Sequence, residues 1–268
     1  MEQVSRRRFV CFRPAFAGVL LLLASVPPAG SILIDGSEAR ARGDAAYARS
    51  DLAAARAAYA DELALRPADF SALWKLARVE SELGEAANGK AQKELVLASV
   101  EHARAAAKVA PDSAQGHAWL AAALGRQALK EGPKTRLSLS REIKFEAERA
   151  LAIDPSNALA YHVRALWNRN VASLSFMERA AANTVLGGVP KGASMENAVR
   201  DLQRAIELEP QRVIHRLEMG RTYMELERWT EARRELEKAQ VLPPTSSPRD
   251  TQHQNVARNL LSRLPPRR

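Results

Sequence analysis

Five histidines, one cysteine and a glycine-rich loop are the residues of this 268-residue chain with types suited to chemistry. His102, His117, His162, His215 and His253 form no HExxH and no i, i+4 pair, so no helix face offers two imidazoles to one zinc ion. Cys11 is the single cysteine and lies near the N-terminus, which removes disulfide scaffolds, zinc fingers and thiol nucleophiles from the rest of the chain. The loop Gly187-Gly188-Val189-Pro190-Lys191-Gly192-Ala193-Ser194 invites a phosphate-cradle reading. It has neither GxGxxG nor the Gly-Lys-Ser/Thr ending of a P-loop, and no strand precedes it, so it reads as a turn before a helix N-cap at Ser194. No GxSxG elbow occurs, and carboxylates such as Glu225, Glu227, Glu231 and Glu235 fall in helix-surface patterns. The expectation is a chain without catalytic residues, metal ligands or cofactor.

The elements that would position a binding site are helices. Hydrophobic residues make up 46% and aromatics 5%, with Ala and Leu dominating and β-branched residues scarce, a balance that favours helix over sandwich or barrel. Net charge is +9, but acids and bases alternate along the chain, as in Glu231-Ala232-Arg233-Arg234-Glu235. That is the pattern of solvated helix faces; a nucleic-acid partner would want a clustered basic stripe with stacking aromatics, and none is visible.

Internal repetition sets the architecture. Five segments end alike, with small or apolar residues three or four apart and then a proline: Pro67, Pro111, Pro155, Pro210 and Pro244. Proline suits the joint after a helix because it cannot continue the i to i−4 ladder. Pro210 and Pro244 are 34 residues apart, one tetratricopeptide repeat, while the earlier spacings of 44, 44 and 55 require insertions. In the last repeat Met219, Gly220 and Tyr223 belong to a first helix, and Ala232, Leu236 and Ala239 to a second. Small residues at Gly220 and Ala232 let the two approach. The fold expected is all-α: a right-handed superhelical solenoid of about five tetratricopeptide-like hairpins over residues 37–264, ending in a capping helix over about 248–264. Insertions are expected between the helices of the second repeat (Gly84 to about Val96), of the third (Lys130 to Lys134) and of the fourth (Ser173 to Leu186, helix-rich). Asp112 with Gln115, and Ser247-Pro248, read as helix starts.

Residues 1–30 read as an export signal or anchor. Arg6, Arg7, Arg8 and Arg13 precede the apolar run Ala15–Val26, which is too short to cross a bilayer comfortably. Ser5-Arg6-Arg7-Arg8-Phe9-Val10 looks like a twin-arginine export signature, which points to the bacterial periplasm. The alternatives are an uncleaved membrane anchor or a eukaryotic organelle-targeting peptide.

The run Tyr161-His162, Leu166-Trp167-Asn168, Leu174 to Ala180, Gly188-Val189-Pro190 and Ala205 to Pro210, with the Glu131 to Lys134 loop, resembles the regulator of microtubule dynamics family over about residues 40–264. The resemblance implies an all-helical tetratricopeptide domain without enzymatic activity. It also implies association with microtubules for some members, and phospholipid binding by the repeat domain of one.

Registering the repeats on their prolines turns the fifth, ninth and twelfth positions of each first helix inward. Trp74, His162 and Leu217 fill the fifth, Arg78, Leu166 and Arg221 the ninth, and Arg169 the twelfth. Such a groove suits an extended or helical peptide carrying acidic groups, or a phospholipid, because guanidinium forks pair with carboxylate or phosphate. The functional expectation is therefore a non-enzymatic adaptor that binds a protein or peptide partner in its groove. The alternatives are a lipid-binding module and a microtubule-associated protein. Membrane contact is expected only through the N-terminal segment, where that segment is retained.

Overall fold

A computed structural model describes residues 36–185, 188–244 and 247–266; the export-signal assignment falls outside them. Twelve α-helices and no strand occur among the described residues. Four pairs form direct hairpins: α1 (Gly36–Ala48) with α2 (Leu52–Leu65), α3 (Phe70–Ala86) with α4 (Gly89–Val109), α5 (Ala114–Ala128) with α6 (Pro133–Ile153), and α10 (Val213–Glu225) with α11 (Trp229–Val241). In the remaining repeat α7 (Ala158–Ala172) pairs with α9 (Met195–Leu208) across an inserted helix, α8 (Phe176–Val185). α12 (Asp250–Leu261) closes the series against α10 and α11. This is a helical-repeat solenoid.

All five registering prolines lie in the joints between hairpins, just beyond the ends of α2, α4, α6, α9 and α11. Two of the helix starts that follow, those of α3 and α7, and the start of α9 within the fourth hairpin are fixed by side chains on otherwise unsatisfied N–H groups. Asp69 accepts from Ala72 N at 2.8 Å, Asn157 from Ala160 N at 2.9 Å, and Ser194 from Asn197 N at 3.1 Å. Two other starts differ from the sequence expectation. α5 is capped at Ser113 without a side-chain bond. α12 begins at Asp250, whose carboxylate reaches back to Ser247 N at 2.8 Å while Ser247 Oγ accepts from Arg249 N at 3.2 Å.

The second repeat carries no spacer. Gly84 lies within α3 and Val96 within α4, and the extra residues lengthen both helices to 17 and 21 residues. The pairing persists because Gly84 faces the Val96 side chain, where a Cβ would come within 3.2 Å. In the fifth repeat a Cβ on Gly220 would stand 2.6 Å from Leu236 Cγ, which explains why only glycine lets α10 sit so close to α11. Leu124, Leu202, Leu217 and Leu236 are fully buried along this spine, each worth about 1.5 to 3 kcal/mol of apolar burial. The insertion α8 leaves the fourth hairpin intact because Arg164 on α7 clamps Asp201 on α9 at 2.7 and 2.8 Å, and Asn168 adds a third bond at 3.2 Å.

Candidate functional site

The first helices of successive hairpins pack side by side, α3 on α5, α5 on α7 and α7 on α10, so their inward stripes form one continuous face. Trp74, Arg78, Leu166 and Arg221 are half-buried on it. His162 and Arg169 are buried, and Leu217, 1% exposed, is packed into the C-terminal core among Leu202, Val213 and Leu236.

At the N-terminal end, the Arg78 guanidinium stacks 3.6 Å from the centroid of the Tyr47 ring and 5.2 Å from that of Trp74. Its Nε is buried without a hydrogen-bond partner. The Tyr47 hydroxyl donates to Glu82 Oε1 at 2.8 Å; burial and that carboxylate push the phenol up, and burial pushes the Glu82 carboxyl up as well. The result is a cation stacked on two aromatic rings, with the nearby Glu82 carboxylate already engaged by a phenol.

The middle of the face is taken up by internal pairs, although Arg169 Nε, like that of Arg78, is buried without a hydrogen bond. Arg169 donates to Glu218 Oε2 at 2.7 Å and to Thr222 Oγ1 and the Glu218 carbonyl at 3.3 Å, with Glu225 Oε1 a further 3.3 Å from its Nε. Arg221 binds the other Glu218 oxygen at 2.5 Å. His162 and His215 meet Nδ1 to Nδ1 at 3.0 Å with ring centroids 4.9 Å apart, and His215 Nε2 lies 3.2 Å from Glu209. Burial, reinforced at His162 by its neighbour, drives both imidazoles below their usual range, so the pair shares its contact as two neutral rings. His117, bonded to Glu146 at 2.5 Å and to the Pro111 carbonyl at 2.9 Å, ties α5 to α6 and to the preceding joint. Among the described residues no group of three His, Cys, Asp or Glu is placed to hold a metal ion, and no helix is long and apolar enough to cross a membrane.

A third cluster closes the face, and its members were not among the residues expected from sequence. Glu85, at the end of α3, takes Arg126 of α5 at 2.8 Å and, from the α12 segment, Arg249 at 3.6 Å and His253 at 3.5 Å. The last helix therefore bridges back to the second and third repeats. The inward stripe Trp74, Arg78, Glu82, Glu85 on α3, and Ala118, Ala122, Arg126 on α5, carries the signal. It is missed when α3 is ended at Gly84.

Burial raises the Glu85 carboxyl, but the His253 contact and the two guanidiniums more than reverse this and hold it down to about 2. A carboxyl depressed in the fold contributes its full stabilisation above its unfolded value of about 4.3 and loses it as pH falls towards 2. With a side chain 29% exposed, solvent screening reduces the contribution to about 2 kcal/mol. Glu85→Gln is thus expected to raise hydrogen exchange across α12 roughly 30-fold at neutral pH, and to match wild type once the pH reaches about 2. Unchanged α12 protection at neutral pH would show that its apolar seat on α10 and α11 suffices.

A protein-family model described as regulator of microtubule dynamics protein 1-3 matches residues 40–265. Regulator of microtubule dynamics protein 3 of Rattus norvegicus is 31% identical over 173 residues, 64% of this chain and 36% of the rat protein. The Bos taurus protein 1 is 29% identical over 72% of this chain and 61% of its own. The Caenorhabditis elegans protein 1 is 26% identical over 71% of this chain and 84% of its own. The chain thus spans about a third of the rat protein it matches. The crystal structure of a thermophilic TPR protein of Thermus thermophilus superposes with a TM-score of 0.63 at 20% identity, covering 85% of this chain and all of that one. With the model match running from α1 through the end of α12, the chain belongs to the regulator of microtubule dynamics protein 1-3 family.

Proposed function

We propose that the chain is a non-enzymatic helical-repeat adaptor whose inner face binds an acidic peptide segment of a protein partner. The observation that carries this is Arg78, stacked between Tyr47 and Trp74 with its Nε buried and unpartnered. A half-buried guanidinium stacked on aromatic rings donates to a carboxylate from its solvent side, and the aromatic platform beside it supplies apolar area to the flanking side chains. Trp74, Arg78, Leu166 and Arg221 would touch the partner. His162, Arg169 and Leu217 would act one layer beneath, holding α7 and α10 in place.

The test is a pull-down with full-length chain, wild type against Trp74→Ala/Arg78→Gln, both melted to check the fold. Both positions are half-buried, so the double variant is expected to keep its fold and lose its bound species about tenfold or more, equivalent to about 1.4 kcal/mol at least. Retention of the same partners by both baits would sink the groove assignment. Native mass spectrometry separates the occupants: a phospholipid adduct on wild type that the double variant lacks would replace peptide by lipid at the same face.

A further inference from the structure

α8 is amphipathic with its apolar face turned to solvent. Its underside caps the end of α7. Arg179 donates to the carbonyls of Val171, Ala172 and Leu174 at 2.8, 2.8 and 3.1 Å, capping the end of α7, while Ala182 is buried and Asn183 Oδ1 accepts from Val189 N at 3.2 Å. The start is fixed by a reciprocal box, Ser175 N to Glu178 Oε2 at 2.8 Å and Glu178 N to Ser175 Oγ at 3.3 Å. At 100° per residue, Phe176, Met177, Ala180, Ala181 and Thr184 share the other face, and all five are exposed. Phe176 is 84% and Met177 76% exposed. Thr184 turns its hydroxyl to the Ala180 carbonyl at 3.0 Å, which leaves its methyl outward.

Cations lie beside both ends of α8. Lys134 and Arg136 stand exposed on the first turn of α6, with Arg136 near enough to Glu178 to help the Ser175 groups hold that carboxyl below its usual range. Arg141 donates to the Gly188 carbonyl at 2.8 Å, and the exposed Lys191 follows α8, its carbonyl accepting from Lys144 at 3.3 Å. The carboxylates near the helix start include Glu131, Glu178 and Glu225; Glu178 is spent on the helix start, and Glu225 on Ser173 at 2.8 Å and on Arg169. A stripe of five side chains is far smaller than the roughly 20 to 30 residues a side of a stable protein interface. It matches the requirement of a lipid surface, which needs a shallow apolar wedge within a basic rim and no complementary shape.

We propose that α8 docks the repeat domain on an anionic membrane surface, Phe176 and Met177 entering the headgroup boundary while Lys134, Arg136, Arg141 and Lys191 face the phosphates. The inference is independent of the groove, which lies on the inner stripes of α3 to α10.

Full-length chain would be sedimented with vesicles of phosphatidylcholine alone and with a third phosphatidylserine, beside Phe176→Ser/Met177→Ser. The wild type is expected to favour the anionic vesicles, with binding falling as salt rises, and the double variant to lose that preference at least fivefold at an unchanged melting temperature. Because the apolar run Ala15–Val26 can itself hold the chain on lipid, a Phe176→Trp variant reports on α8 directly. Its added emission is expected to be quenched by brominated acyl chains in anionic vesicles. Equal sedimentation of wild type and double variant together with an unquenched tryptophan overturns the proposal. So does a double variant that keeps its anionic preference while losing a crosslinked protein.

Discussion

Arg169→Ala is expected to destabilise the solenoid by about 3 to 5 kcal/mol, read as a shift of the urea midpoint. The side chain is 11% exposed and its partner Glu218 5%, and the substitution strips three donated bonds from the Glu218 carboxylate, the Glu218 carbonyl and Thr222. The Glu218 carboxylate keeps Arg221 on Oε1, but its Oε2 loses its donor at a depth where water cannot replace it, so the loss exceeds the worth of the pair itself. Arg169→Leu/Glu218→Leu is expected to return most of the stability, because an apolar pair of similar volume removes the stranded charge. Arg221, the other partner of Glu218, is 39% exposed and regains solvent. If the double variant is as unstable as the single, the cost lies in packing rather than in the buried charge. The same geometry explains why loss of a binding partner in Arg169→Ala would say little about contact, whereas Trp74 and Arg78 can be altered with α7 and α10 intact.

The joints were legible because proline and small residues act through local chemistry. Pro67, Pro111, Pro155, Pro210 and Pro244 each end a hairpin wherever the chain places them, and Gly220 must face Leu236 whatever lies elsewhere. Helix lengths were harder, since a glycine such as Gly84 is permitted in a helix when a neighbour presses against it, and only the partner α4 supplies that reason. Register puts Trp74, Arg78, Leu166 and Arg221 half-buried on the first-helix stripes, while His162 and Arg169, expected beside them, are buried. What those side chains do was not legible, because Glu218 for Arg169 and His215 for His162 sit 49 and 53 residues away on another hairpin. Leu217 shows the limit of register: α10 is rolled far enough towards α11 and α12 that a position expected on the face joins the core. The bridge from α12 to Glu85 depends on the closure of the whole array, which no window of sequence contains.

Tyr59→Ala is expected to cost about 3 to 5 kcal/mol, but at one end of the molecule only. The ring is fully buried beneath Gly43, and its hydroxyl donates at 2.7 Å to Asp44, which also receives Lys75 of α3 at 2.7 Å. Removing it empties the seam of the first hairpin and loosens the link to the second. In a stack of repeats each unit leans on its neighbours, and α1 and α2 have α3 on one side. Hydrogen exchange is therefore expected to rise throughout α1 and α2 while α10, α11 and α12 keep their protection. Tyr59→Phe, which keeps the ring and loses one bond, is expected to cost about 1 kcal/mol and leave the pattern nearly unchanged. Exchange rising equally from α1 through α12 in Tyr59→Ala would mean that the Glu85 bridge to α12 makes the array fold as a single cooperative unit, and the neighbour-by-neighbour account would then be wrong.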